Sequence, residues 1–475
     1  MRRHLIVFTV FLAAQSSAQT PLTPHQRAAR EIYSELISIN TVDSVGNVTT
    51  AAEAMAKRFR AAGFPESDVK VLIPAGKPTK GNLVVRLRGR GGAAAAKPML
   101  LLAHLDVVAA LRSDWPRDPF TLHEENGYFL GRGTSDDKAM ASMFVANLIR
   151  LKQQGFQPSR DIILALTADE EGGDSNGAEW LVKQHKDLID AAFAINEGGG
   201  GTLTGSGSDV KPLFHSVQAA EKVYQDFTLT ATNPGGHSSV PRPDNAIYEL
   251  ADALARLPKF SFPVALNPTT RAFFEQTAKV EKPDVAAAMR AIVANPNDTT
   301  AAAFLSRDPR FASMLRTTCV ATRLAGGHAY NALPQSASAN VNCRMVPTSS
   351  SAEVRATLAR VIADTGIKIT NTQPTEPDFP KSTLPIDPAV LTATTEITKA
   401  MFGDIPVVPT MSTGATDSHY LRAVGIPSYG ISGIFSSPGE TNAHGRDEKL
   451  RVKSYYDGLE FLDQLVRRLA GNVQP

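Results

Sequence analysis

Cysteine is almost absent from this 475-residue chain: Cys319 and Cys343 are the whole complement, and there are only two tryptophans. A cysteine-ligated zinc finger, an iron–sulfur protein and a disulfide-dense scaffold all need more thiols and are excluded. An excess of one charge is missing as well, with 49 Lys and Arg against 47 Asp and Glu, and no basic stripe or nucleic-acid motif appears. Past the N-terminal stretch no apolar run is long enough to cross a bilayer, which takes about 20 residues. The whole chain is 43% hydrophobic and 20% charged, the composition of a globular protein, at a length that suits two to four domains.

The N-terminal stretch reads as a secretory signal. Arg2 and Arg3 precede an apolar run over residues 5–14, and Ser16-Ser17-Ala18 supplies the small residues a signal peptidase needs. Ten apolar residues are too few for an anchor. Cleavage of residues 1–18 would remove both arginines and level the positive count with the 47 acids. The expectation is an exported protein, periplasmic or secreted, with no membrane attachment after signal removal and no nucleic-acid partner. In such a compartment Cys319 and Cys343, which fall opposite each other if residues 317–344 form a hairpin, could be a disulfide; two buried thiols on neighbouring strands fit equally well.

Short apolar runs at 82–87, 99–108, 162–167 and 191–195 have the character of buried parallel strands, and helical patterns at 138–154 and 178–186 alternate with them. The same grammar returns at 426–431 and in a final helix at 452–469. This predicts an α/β class, an α/β/α sandwich with a largely parallel sheet. Residues 217–374 read differently, as β-α-β-β-α-β, an open-faced sandwich inserted into the first domain. The expected division is a signal at 1–18, a catalytic domain at 19–216 and 375–475, and an inserted lid at 217–374. An Ala-rich, partly helical segment at 258–316 exceeds what the lid needs, and its role is not readable. The glycine-rich stretch 198–201 and the alanines at 93–96 read as loops.

Three of the buried strands end in residues that ligate metals. Residues 100–103 run into His104-Leu105-Asp106, 163–167 into Asp169-Glu170-Glu171, and 193–195 into Asn196-Glu197. Sites in open α/β sheets form at the carboxyl ends of strands, so these side chains should converge. Gly131-Arg132-Gly133 leads into Asp136-Asp137-Lys138 at a helix start, and Asn442-Ala443-His444 follows a late strand. Imidazole and carboxylate without thiolate suit a pair of divalent ions, zinc foremost, with Co2+ or Mn2+ as substitutes. A lone histidine after a strand, or a Glu-Glu pair in a loop, is usually only a hydrogen-bonded or solvated residue; recurrence at successive strand ends is what points to a site. The glycine-rich stretches carry no nucleotide claim: 131–136 lacks the last glycine of a dinucleotide fingerprint, and 198–208 lacks the lysine of a phosphate loop.

These stretches, together with Trp115 through Pro119-Phe120, resemble the two-zinc exopeptidases and amidases. That family includes carboxypeptidase G, aminoacylase, acetylornithine deacetylase, succinyl-diaminopimelate desuccinylase and carnosinase. The likeness in residues 103–108 and 115–120 is strongest to the carboxypeptidase S and secreted N-acyl-amino-acid hydrolase branch. The resemblance implies that Asp136 bridges two zinc ions, that His104 and Glu197 complete one site, and that Glu171 and His444 complete the other. It implies Glu170 as general base and a cis peptide after Asp136. His237, in the lid turn 233–239, would stabilise the oxyanion, reaching into a partner subunit of a homodimer. Asn331 and Arg344 would hold substrate, an arginine gripping a carboxylate through two parallel hydrogen bonds, and the loop 414–417 would line the pocket.

Asp106, two residues past His104, lies on the same side of an extended strand. Its carboxylate is expected to accept the imidazole's second N–H and fix its tautomer. The activity expected is hydrolysis of an amide bond next to a free carboxylate, through a hydroxide bridging the metals, on a small peptide or N-acyl amino acid. The enzyme would then be a carboxypeptidase, dipeptidase or N-acyl-amino-acid hydrolase. Two other readings stand beside it. One is a non-catalytic metal- or peptide-binding protein on the same scaffold, which would have no use for a base beside a complete ligand set. The other is a two-metal aminopeptidase, which Arg344 and the inserted lid disfavour.

Overall fold

The computed structural model describes residues 21–90, 96–372 and 385–471. The expected signal at 1–18 lies outside the described residues, as does most of the Pro-rich return from the lid. Among the described residues no helix is long and apolar enough to cross a membrane.

The fold is mixed α/β, built on a ten-stranded sheet. Its centre is parallel: Arg160–Thr167, Ala96–His104, Phe193–Asn196 and Ser428–Gly430 lie side by side in that order. Alternation along these strands divides their side chains between two apolar layers. Leu101, Ala103, Leu164, Leu166 and Ile195 pack with the helices Pro24–Ser38, Lys138–Gln153 and Val452–Ala470. Leu100, Leu102, Ile163, Ala165 and Ala194 face Leu181 and Leu421, from Gly177–Gln184 and Ser418–Ala423. Helices on both faces make the central strands apolar throughout, which is why short uninterrupted hydrophobic runs announced them.

The sheet's margins are antiparallel. Asn82–Leu87 pairs antiparallel with Arg160–Thr167 on one side. On the other, Gly200–Thr204 and Lys211–Glu221 form an antiparallel pair, and Val407–Ser412 runs parallel to the second of these. The stretch 198–201, expected as a loop, thus enters a strand at Gly200. A side chain on Gly201 would put its Cβ 1.9 Å from the ring of Phe435, so packing demands glycine where a strand residue would ordinarily be β-branched.

From Glu221 the chain passes through Lys222 into Val223–Thr232, the centre of a second, four-stranded antiparallel sheet. Its order is Thr318–Gly326, Ser336–Met345, Val223–Thr232, Lys368–Asn371. One face carries Phe227, Leu229, Ala339 and Val341 against Leu250 and Leu358 of the helices Ala246–Arg256 and Ser351–Ile362. Cys319 and Cys343 stand directly opposite each other in register and are joined as a disulfide.

The segment 258–316 folds as four helices, Pro268–Thr277, Pro283–Ala294, Thr299–Leu305 and Pro309–Leu315. Their own core of Phe273, Phe274, Met289, Ile292 and Leu315 closes on Val408 and Phe214 of the large sheet. The segment is therefore entered from a lid helix and left into a lid strand, yet it packs against the other sheet.

Candidate metal centre

The parallel strands end together, and the polar residues that follow them converge. His104, the last residue of its strand, is 2% exposed. Its Nδ1 lies 3.1 Å from the carbonyl oxygen of Asp106. A carbonyl can only accept, so Nδ1 carries a proton, and in the neutral ring Nε2 presents a lone pair. Yet Nε2 stands 3.1 Å from Oδ1 of Asp136 and 3.8 Å from Oε2 of Glu197. Asp136 turns its other oxygen to His444, 3.2 Å from that ring's Nε2, which is also 2.9 Å from Oε2 of Glu171. A ring nitrogen has one proton or one lone pair, so it cannot satisfy two carboxylates at once. A cation beside each histidine removes both conflicts, and nitrogen and oxygen donors without sulfur fit divalent metal ions.

The same conclusion follows from charge. Ligand-type atoms of His104, Asp136 and Glu171 lie within 4.8 Å of one another, and so do those of His104, Glu170 and Glu197. In the metal-free chain burial, opposed mainly by His104, pushes the Glu170 carboxyl up to about 9. Burial and the charge of Asp136 push Glu171 up to about 7, and burial raises Glu197 well above the carboxylate range. Burial also works to raise Asp136, but hydrogen bonds from His104 and His444 outweigh it and hold this carboxyl low. His444 is raised to about 9, first by its hydrogen bond to Asp136. These acids cannot all be ionised side by side without added positive charge.

Asp106 departs from the expected arrangement. Its carboxylate oxygen is 3.5 Å from His104 Nδ1, the closer contact being its backbone carbonyl. The carboxylate's two oxygens instead accept the backbone N–H groups of Glu170, at 3.1 Å, and Glu171, at 2.9 Å. An extended strand puts Asp106 on the correct side, but the amides of the neighbouring turn compete better for its lone pairs. Asp106 therefore holds the backbone of both acids while its carbonyl fixes the imidazole tautomer.

The turn 168–176 is pinned from other sides too. Lys80 Nζ donates to Asp169 Oδ1 at 2.6 Å, Ala168 N–H to Asn82 Oδ1 at 3.0 Å, and Asn176 Nδ2 to Asp417 Oδ1 at 2.7 Å. Asp417, in the loop expected to line the pocket, is 2% exposed and also accepts from Thr167 Oγ1 at 3.0 Å.

Asp136 sits on the turn before Lys138–Gln153, and the Asp136–Asp137 peptide bond is cis. Lys138 is fully buried, its Nζ donating to the carbonyls of Leu36 at 2.9 Å and Ile39 at 2.8 Å. Burial pushes its amine down to about 7. Glu448, which no sequence signal singled out, is fully buried and hydrogen-bonded to this turn. Beside the cluster lies a cavity of about 230 Å3, walled by Met140, Ile434, Leu450, Ser432 and Ser436 and bordered by Asp136 and Glu197.

The lid residues form a separate group. His237 pairs in register with Ala332, and the N–H of the next residue, Ser238, donates to the carbonyl of Asn331 at 3.1 Å, so His237 and Asn331 share one exposed tip. Ser239 hydrogen-bonds His237 Nδ1. Arg344 lies on the open face of the lid sheet, its guanidinium 4.7 Å from the centroid of the Tyr224 ring, and no acid among the described residues is ion-paired with it. No hydrogen bond among the described residues joins these three side chains to the carboxylate cluster.

The model of the family described as peptidase family M20/M25/M40 matches residues 100–468. A probable carboxypeptidase S-like protein of Dictyostelium discoideum is 28% identical over 473 residues, covering 91% of this chain and 88% of its own. The human N-fatty-acyl-amino acid synthase/hydrolase PM20D1 is 26% identical over 395 residues, covering 81% of this chain and 77% of its own. Among solved structures, an M20 family metallo-carboxypeptidase from Sulfolobus solfataricus superposes with a TM-score of 0.66 at 18% identity, over 92% of this chain and 98% of that one.

Proposed function

We propose, from the premise that this chain belongs to peptidase family M20/M25/M40 and is a metal-dependent hydrolase of amide bonds, that it cleaves the amide bond next to a free carboxylate using two zinc ions. The observation that carries this reading is the division of Asp136 between two histidines, one oxygen to each. His104, Glu197 and Asp136 would hold one ion, and Glu171, His444 and Asp136 the other. Bound there, the cations would supply the charge that lets these acids ionise together and would acidify an attacking water.

The remaining steps belong to the protein. Glu170, held by its N–H to Asp106, takes a proton from that water and returns it to the leaving amine nitrogen, a role worth about 10²- to 10⁴-fold. His237 donates a hydrogen bond to the carbonyl oxygen as charge develops there, about 10²- to 10³-fold for one such donor. Arg344, steadied over Tyr224 and in no ion pair among the described residues, grips the substrate's carboxylate through its guanidinium fork. The names of the two relatives above favour a peptide or N-acyl amino acid as substrate.

Two further parts belong to this proposal. The strand Thr318–Gly326 is an edge of the lid sheet and leaves Val320 58% and Leu324 71% exposed, an edge suited to pairing with a second copy. Such a homodimer would let His237 serve the partner's site. Residues 1–18 would direct export.

The test is a panel of dipeptides and N-acyl amino acids, with free and amidated carboxyl ends, assayed with and without zinc. Zinc-dependent release from the free acids alone is expected, and Glu170→Gln should keep its metal while losing at least about 10²-fold in kcat. Equal cleavage of amidated substrates would refute the role of Arg344, and no release from any member would refute the substrate class. An active monomer in light scattering would remove the role of His237 in a partner's site.

A further inference from the structure

We propose that the buried Arg132–Glu448 pair is a latch joining the turn of Asp136 to the loop of His444, and that the second metal ion is held only when this latch is closed. The inference rests on the two-ion reading above and goes beyond the ligands to the residues that present them.

Glu448 is fully buried, and both its oxygens are spent on one turn. Oε1 accepts from Ser135 N at 2.6 Å, Ser135 Oγ at 2.9 Å and Asp136 N at 3.1 Å. Oε2 accepts from Gly133 N at 3.0 Å and from Arg132 Nη1 at 2.7 Å. The turn is thus wrapped around a carboxylate, with successive N–H groups aimed inward. Gly133 has φ +83, and a Cβ there would stand 3.0 Å from both Lys138 and Val107, so only glycine lets the turn close this tightly.

Arg132 is the other half. It is 2% exposed, lies 5.3 Å from the centroid of the Trp115 ring and is tied by its own N–H to Pro119 at 2.8 Å. Its Nη2 reaches the carbonyl oxygens of Gly445 at 3.0 Å, His444 at 3.3 Å and Ala109 at 3.4 Å. One guanidinium therefore bonds to the anchor of Asp136 and to the backbone of His444 itself.

The two proposed ions are not equally supported. His104 stands at the end of a central strand and is 2% exposed. His444 sits on a loop with φ +63, its side chain 55% exposed. Among the described residues, the hydrogen bonds that reach its backbone from outside the loop come from Arg132. Loosening Arg132 should therefore release the ion shared by Glu171 and His444 and spare the ion shared by His104 and Glu197. A buried pair with every lone pair of the acid used is costly to break at one partner, so both arms of the test keep charge balanced.

Arg132→Lys keeps the charge opposite Glu448 but cannot span it and two carbonyls together. The double variant Arg132→Met with Glu448→Gln removes both charges. Zinc binding is measured for each folded protein by competition with a chromophoric chelator. The expectation is two ions in the wild type and, in both variants, one ion held as before and one weakened by about 10- to 100-fold. Activity should recover as zinc is raised while the folded fraction, followed by circular dichroism, stays constant, which separates weakened binding from a destabilised fold that zinc rescues by mass action. Equal weakening of both ions, unchanged binding of both, or failure of both variants to fold would overturn the latch. A wild type that takes up fewer than two ions would instead overturn the two-ion reading.

Discussion

Asp106→Asn isolates a positioning role that ligand geometry alone would not reveal. The wild-type carboxylate accepts the N–H of Glu170 at 3.1 Å and of Glu171 at 2.9 Å, one on each oxygen. Asparagine keeps one carbonyl oxygen and replaces the other by an amide nitrogen, which cannot accept. One of the two N–H groups is then left facing a donor in a site where Asp106 is 1% exposed. A buried donor without a partner costs about 1 to 3 kcal/mol, which corresponds to about 5- to 150-fold in rate if the transition state bears all of it. The assay is kcat/KM at saturating zinc on the best substrate of the panel, with zinc content measured in parallel. A fall within that range with two ions retained is expected, and Asp106→Ala, which removes both acceptors, should fall further. Full activity in Asp106→Asn, or an Asp106→Ala variant no worse than it, would refute the reasoning.

Arg344→Met should raise KM for free-carboxylate substrates by about 10- to 100-fold, the equivalent of a charge-assisted hydrogen bond worth about 1.5 to 3 kcal/mol, while changing KM little for amidated analogues; equal effects on both would contradict it. His215 is fully buried among Phe402, Phe435 and Phe461. Thr398 Oγ1 donates to the Thr394 carbonyl at 2.6 Å, so His215 Nδ1 must donate to Thr398 at 2.7 Å and Nε2 is bare. Burial pushes this imidazole from 6.5 down to about 3. The unfolded chain therefore binds the extra proton between those values, and stability is full above pH 6.5 and lost as pH falls toward 3, by about 1.4 kcal/mol per unit. His215→Leu should flatten that limb in denaturant titrations at pH 4 to 6; an unchanged slope would remove the assignment. Replacing Cys319 and Cys343 by serine should lower the stability of the oxidised protein by up to about 3.5 kcal/mol, since a cross-link over 24 residues restricts the unfolded chain; an unchanged melting temperature would contradict this.

The strands bearing His104, the Glu170-Glu171 pair and Glu197 were legible because each is an apolar run broken abruptly by polar residues, and burial on both faces makes such a run. The hairpin of Gly200–Thr204 and Lys211–Glu221 was not, because Gly201 is dictated by the Phe435 ring and Gly200 by the Ile434 carbonyl, and neither carries a periodic pattern. Glu448 was invisible for another reason. In sequence it is one acid of a polar loop, and the amides it binds lie more than three hundred residues earlier. The expectation for Asp106 is met only loosely, its carboxylate standing 3.5 Å from His104 Nδ1, since extended geometry fixes which side a carboxylate faces but not which other donors arrive there. The segment 258–316 shows the limit most plainly: its Ala-rich composition reads only as partly helical, while its attachment to Val408 and Phe214 depends on two strands read only from the structure.

The most direct test of the account is anomalous diffraction at the zinc edge from crystals of the zinc-loaded protein. Two peaks are expected, one contacting His104, Asp136 and Glu197, the other Asp136, Glu171 and His444, with Glu170 contacting neither. A single peak, or Glu170 bound directly to an ion, would contradict it.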